Sequence, residues 1–174
     1  LLLHLYGVKD SVSLQQSDDI CSALQLINFW QDISVDLPRQ RHYLPTDLLQ
    51  RHGLRLEDFM PRAAPDAATR VRMGQAVAEL CTQARTLMQQ GAPLARRIPG
   101  RAGWELRLVV QGGLRILDKI AARQHRTWLR RPTVPPVDLP CLLWRPPWMR
   151  STCNTKAPRP AVAPAPRRPA RGRS

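Results

Sequence analysis

The chain has 174 residues and 43% apolar content, enough for one domain with a core, and a formal charge of +14 from 27 Lys and Arg against 13 Asp and Glu. Eight basic and no acidic residues lie from residue 139 onward, so the charge marks a tail rather than a helix face, and no aromatic–basic interleaving or helix-turn-helix pattern points to nucleic acid. No apolar run approaches the ~18 residues of a membrane span, "LLLHLYG" is too short and uncharged for a signal peptide, and the spacing of Cys21, Cys81, Cys141 and Cys153 excludes a zinc pattern.

In chain order, residues 1 to 7 read as a helix end stopped by Gly7, so the true amino terminus is expected to lie upstream. Ser17, Asp18 and Asp19 supply N-cap chemistry for a long helix over 17–36. Asp36-Leu37-Pro38 ends it, because a residue before proline is pushed out of the helical region. After a loop to Pro45, Thr46 can cap a short helix, "DLLQRH", closed by Gly53.

Residues 66–90 form the clearest amphipathic helix, with Met73, Val77, Leu80, Cys81, Ala84, Leu87 and Met88 at 3,4 spacing. Gly91 and Pro93 end it, and "GAPLARRIPGRAG" is a turn-rich connector. A last helix over about 102–124 is apolar on most sides, which predicts a central position. Gly112-Gly113 in its middle predicts close approach by a neighbour. Cys21 and Cys81 fall in apolar helical runs and are expected as buried, reduced thiols of a cytosolic protein. No strand alternation appears. Eleven of the 17 prolines lie between Pro132 and Pro169. The Pro/Ala/Arg ending has no apolar face to bury, so 146–174 is expected to be a disordered basic tail behind a helical domain over 1–145.

"LQLINFWQDISVD" carries the chemistry. On a helical wheel at ~100° per residue, Gln25, Asn28, Asp32 and Asp36 fall in a sector of roughly 80°, between bulky groups such as Ile27, Phe29, Trp30 and Ile33. A solvated face would be wider and richer in Lys and Glu. The narrow stripe predicts a buried helix with one line of polar groups facing a cavity. Carboxylates one turn apart repel, and a divalent cation removes that repulsion. Mg²⁺ commonly takes one or two carboxylates plus waters and substrate phosphates. Arg39, Arg41 and His42, just downstream, can meet phosphate oxygens or pair with the aspartates. The competing reading is a solvated helix end with Asp36 paired to arginine.

"LQLINFWQDISVD", a short basic loop and "RHYLP" together resemble the squalene/phytoene synthase family. Its second aspartate-rich motif, N-x-x-x-D-x-x-x-D preceded by glutamine, is matched by Gln25, Asn28, Asp32 and Asp36. Its G-R-x-Y-L-P element is matched by Arg41, Tyr43, Leu44 and Pro45, with Gln40 in place of glycine. Within the family the chain most resembles the bacterial hydroxysqualene synthases of hopanoid biosynthesis. Trp30-Gln31 stand where condensing members generally carry an arginine before the aspartate. "GAPLARRIPGRAGWELRLVVQGGLRILDKI" and "RPTVPPVDLPCLLWR" resemble their carboxy-terminal helices and ending.

The resemblance implies an all-α isoprenoid-synthase-type helical bundle, in part. It implies Mg²⁺ held by Asp32 and Asp36, with Asn28 and Gln25 beside them. Arg41, Tyr43, Gln31 and Phe29 become candidate substrate contacts, and Phe29, Trp30, Trp104 and Met73 candidate cavity walls. The implied substrate is presqualene diphosphate, ionised and captured by water to give hydroxysqualene. The implied setting is cytoplasmic, with peripheral contact at the inner membrane and no nucleic-acid partner. The family's first aspartate-rich motif has no counterpart here, and Asp18 and Asp19 are better explained as caps. A carboxy-terminal piece, inactive by itself, is therefore the expectation. The alternatives are a condensing phytoene or presqualene diphosphate synthase, a non-catalytic remnant and, more distantly, a basic helical nucleic-acid binder.

Overall fold

A computed structural model describes residue 3 and residues 6–60 and 64–133. The expected domain end at 145, the tail from 146, Cys141 and Cys153 lie outside the described residues. The described elements are helical throughout, without strands among them.

The first long helix, α1, is Ser11–Gln31. It begins six residues before the expected start, because Asp10 is the cap: its Oδ1 accepts from the Ser13 backbone N–H at 2.9 Å. Ser17, Asp18 and Asp19 are therefore interior helix residues and not caps. Asp19 instead accepts from the Gln15 side chain at 2.9 Å. The polar run misled because the preceding turns carry no apolar period: Val12 and Leu14 are exposed and the buried residue there is Ser13.

Farther along, Ile20, Ala23, Ile27 and Trp30 recur at 3,4,3 spacing and are buried. They meet the long helix α4, Ala67–Gly91, in the most extensive packing of the molecule. Asp66 caps α4 by accepting from Thr69 N at 2.6 Å. Met73, Ala76, Val77, Leu80, Ala84 and Met88 line its buried face, as the periodicity predicts. Each fully buried Met, Val or Leu among them contributes about 1.5–3 kcal/mol. The crossing is set by Gly91, where an added Cβ would lie 2.6 Å from the Gln16 carbonyl of α1. A backbone oxygen cannot step aside, so only glycine lets the helices come this close.

Between these helices the chain makes three short elements. α2, Ile33–Asp36, continues α1 after a break at Asp32 and runs into a 3₁₀ turn at Leu37–Arg39. Gln40 then takes the left-handed conformation, φ 60°, at the position where the resembling family has glycine. α3, Thr46–Arg51, begins directly behind Pro45, with Thr46 in the helix rather than capping it. Gly53 closes it with φ 61°. Arg51 and His52 reach Glu79 of α4 at 2.9 and 3.0 Å. A second 3₁₀ turn covers Leu56–Phe59.

After Gly91 the connector holds a one-turn helix, α5, Leu94–Arg97, and then α6, Gly100–Ala122. α6 packs on α1, α4 and α5 and is not central. Val110, Leu117 and Ile120 are buried, but Trp104 and Val109 are 50% and 42% exposed. Of the glycine pair, Gly113 makes the close approach, with Met88 and Ile27 against it, whereas Gly112 has open space. Past α6, Gln124 and His125 both adopt positive φ and turn the chain back. Trp128 packs edge-on against Phe59 at 5.6 Å, and residues 131–133 then cross the carboxy-terminal end of α1. Cys81 is buried, but Cys21 is exposed, against expectation, because its face of α1 points away from α4.

Candidate functional site

The α1–α2 junction keeps the polar stripe in register. Asp32 leaves helical geometry, with φ −100° and ψ 12°. Its N–H still bonds to Asn28 O at 3.0 Å, and Asp36 N bonds to Asp32 O at 2.8 Å. Asn28, Asp32 and Asp36 thus stay one turn apart on one side despite the break. Gln25 and Asn28 are exposed, whereas Asp32 and Asp36 are partly buried. The cavity-facing stripe expected from the sequence is therefore open to solvent at its Gln25 end among the described residues.

The two carboxylates sit among cations. Arg131 Nε lies 2.7 Å from Asp32 Oδ1. Arg41 reaches Asp36 at 4.0 Å, from a largely exposed side chain. Burial raises the Asp32 pKa above its ordinary value, and the Asp36 charge raises it further, against the opposing pull of Arg131 and Arg39. The balance is a carboxylate under strain from desolvation and a like neighbour. Asp32 Oδ1 is also shut from solvent and receives no aligned hydrogen bond, although the Arg131 nitrogen is close. A buried acceptor oxygen without a directed donor is uncommon; the Arg131 guanidinium balances its charge at 2.7 Å, and a hard cation would serve the same oxygen. The two-carboxylate donor set fits Mg²⁺, which completes its octahedron with water and phosphate oxygens. No cluster of three or more His, Cys, Asp or Glu suited to a metal occurs among the described residues.

Beside the pair, Tyr43 stacks on Phe29 with centroids 3.9 Å apart and planes 8° from parallel. Phe29 meets Trp30 edge-on at 6.1 Å. These rings, with Ile33, Asp36, Leu37, Arg41 and Leu44, line a shallow depression open to solvent. The described residues thus supply one wall and not an enclosed chamber. Trp30 is buried beneath it, and its indole N–H has no hydrogen-bond partner among the described residues.

Of the candidate residues, the structure brings together Asp32, Asp36, Arg41, Tyr43 and Phe29. Gln31 is buried, and its amide donates to the Pro132 carbonyl at 2.6 Å. His42 is exposed. Met73 lies wholly in the α1–α4 core, and Trp104 stands exposed on α6, so neither walls this site. Arg131 was missed by sequence reasoning. Its only signal, "RRP" after a helix, is indistinguishable from a basic loop.

The sequence profile described as squalene/phytoene synthase matches residues 1–138. The phytoene synthase of Thermus thermophilus is 40% identical over 101 residues, 56% of this chain and 32% of that protein. The 15-cis-phytoene synthase of Pantoea ananas is 27% identical over 82% of this chain and 45% of its own length. The hydroxysqualene synthase of Rhodopseudomonas palustris is 30% identical over 70% and 40%. Among solved structures, squalene synthase HpnC from Alicyclobacillus acidocaldarius superposes with a TM-score of 0.64 and 31% identity, covering 71% of this chain and 45% of that one. The chain thus spans less than half the length of each of these relatives.

Proposed function

Since the chain belongs to the squalene/phytoene synthase family, we propose that Asp32 and Asp36 form one half of a Mg²⁺-dependent diphosphate-ionising site whose substrate is presqualene diphosphate and whose product is hydroxysqualene. The observation that carries the reading is the Asp32 carboxylate. It is held one turn from a second carboxylate, partly buried, with an oxygen that lacks a directed donor.

Asp32 and Asp36 would hold Mg²⁺, with Asn28 one turn before them on the same side. When bound, the metal supplies charge neutralisation for the leaving diphosphate. Arg39 and Arg41, in the turn after α2, offer donors to phosphate oxygens. The stacked Phe29–Tyr43 pair presents an aromatic surface of the kind that favours a nearby cation. The apolar residues around it would form one wall of the water-excluding cavity that such a reaction needs. The same reading carries the expected cytoplasmic setting, with peripheral contact at the inner membrane. No helix among the described residues is long and apolar enough to cross a membrane.

A condensing synthase is the second reading, favoured by the two phytoene synthases among the relatives. Gln31 in place of the arginine usual in condensing members supports the first. The test is product analysis with Mg²⁺, offering presqualene diphosphate and, separately, acyclic prenyl diphosphates. The chain is assayed alone and with the amino-terminal half of the Rhodopseudomonas relative supplied in trans. Hydroxysqualene from the complemented chain supports the proposal. Condensed product without hydroxysqualene moves the assignment to the second reading, and no product from either substrate supports a non-catalytic remnant.

A further inference from the structure

Three consecutive carbonyls of the segment 131–133 are each held by a side chain of the helical body. Arg123 donates to Arg131 O at 3.4 Å, Gln31 to Pro132 O at 2.6 Å and Lys119 to Thr133 O at 2.9 Å. Thr127, Trp128 and Pro132 are buried, so the segment is also seated by packing. An extended tripeptide in water keeps its carbonyls hydrated. Here three long side chains from α1, α6 and the turn after it replace that water, which orders the segment across the end of α1.

The result is the placement of one guanidinium. Arg131 is 48% exposed while its partner Asp32 is 23% exposed. The arginine can return to water with little loss, but Asp32 Oδ1 cannot. A monovalent cation with a poorly aligned N–H thus occupies the oxygen that a divalent ion would take. We propose that residues 131–133 form a tethered strap whose Arg131 competes with a divalent cation for Asp32. Metal loading turns the Arg131 side chain out while the three carbonyl contacts keep the backbone in place. This rests on the reading of Asp32 and Asp36 as a metal site and adds its regulation. The strap's Arg131 occupies Asp32 when metal is scarce, and Gln31 is the positioning residue that fixes the strap's register.

The experiment is a Mn²⁺ titration of the whole chain at low salt, followed by electron paramagnetic resonance, on the unaltered protein, Arg131→Gln, Asp32→Asn and the double variant. Removing a competing charge at contact distance is worth roughly fivefold in affinity at a partly exposed site. Arg131→Gln should tighten Mn²⁺ by about that factor, and Arg131→Gln/Asp32→Asn should show no gain over Asp32→Asn. Equal or weaker binding by Arg131→Gln overturns the competition while leaving the metal reading intact. Absence of Mn²⁺ binding in both the unaltered protein and Arg131→Gln overturns the competition and the metal reading together. A second readout needs no variant. The Arg131 Nε–H resonance should move and exchange faster with water as Mg²⁺ is added, and an unmoved signal at saturating Mg²⁺ overturns the displacement.

Discussion

The carboxy-terminal half of α1 and the junction that follows it are built on opposite terms. From Ile20 to Trp30 its buried side is apolar, matched to Met73 through Met88 of α4, and brought close by Gly91. Two residues later, at Asp32, the helix breaks, burial falls on a carboxylate, and that carboxylate has a neighbour of the same sign. The first region gains stability from each side chain that leaves water. The second gives some of it up, and strain of this kind is tolerated where function requires it. The core therefore sets where the carboxylates stand, and the carboxylates do little to hold the core together.

That division can be broken at either end. The largest effect is expected from Asp32→Asn or Asp36→Asn in the complemented enzyme. Turnover should fall on the order of a thousandfold, equivalent to about 4 kcal/mol, while circular dichroism shows unchanged helicity. Wild-type-like product from either variant would remove the carboxylates from the chemistry. Met73→Ala tests the other end. Met73 is fully buried, so urea unfolding should show a loss of about 2–5 kcal/mol. A loss below 1 kcal/mol would mean that the α1–α4 contact is loosely packed.

Gln40→Gly should act with opposite sign. Gln40 holds φ 60°, which glycine adopts without steric cost, so a gain of about 0.5–1 kcal/mol is expected in the same assay. A loss would show that the Gln40 side chain makes a contact that outweighs the strain.

The smallest effects separate two kinds of carboxylate by pH. At the α4 cap, the hydrogen bonds from Thr69 hold the Asp66 pKa below 3.8. Its contribution is present above pH 3.8 and is lost as pH falls through the lowered value. Asp32, raised above 3.8 by burial, behaves the other way: ionising it costs stability at neutral pH, and the cost is gone below pH 3.8. Asp66→Asn should therefore melt below the parent at pH 7, and Asp32→Asn at or above it. The Asp32 difference should close below pH 3.8, whereas the Asp66 difference should persist there and shrink only as pH falls through the lowered Asp66 value. Melting curves at pH 7 and at a series of values below pH 3.8 check the sign of each.

How much of this was legible follows the same line. The period of α4 and its boundaries were plain, because Met73, Val77, Leu80, Ala84 and Met88 all face one neighbour along the whole helix. The start of α1 was not, because Asp10 lies before turns whose apolar residues are exposed, and the later Ser17-Asp18-Asp19 offered a better local cap. The aspartate pair was legible because its partners are local, one turn apart. Arg131 was not, since its contact with Asp32 spans 99 positions and depends on two consecutive left-handed residues, Gln124 and His125, that no simple turn signature announces. The exposure of Trp104 was equally invisible, since an apolar face says only that it wants cover and not where the cover comes from.

The contrast between the two described cysteines gives the molecule a built-in attachment point. Burial pushes the Cys81 thiol up to about 12, so it stays protonated and inert to alkylation, whereas Cys21 is exposed. Cys21 stands eleven residues, about 16 Å of helix, before Asp32 and at nearly the same angle around the axis. A nitroxide carried there would look down the helix at any paramagnetic ion between the aspartates, turning the helix itself into a ruler for the site.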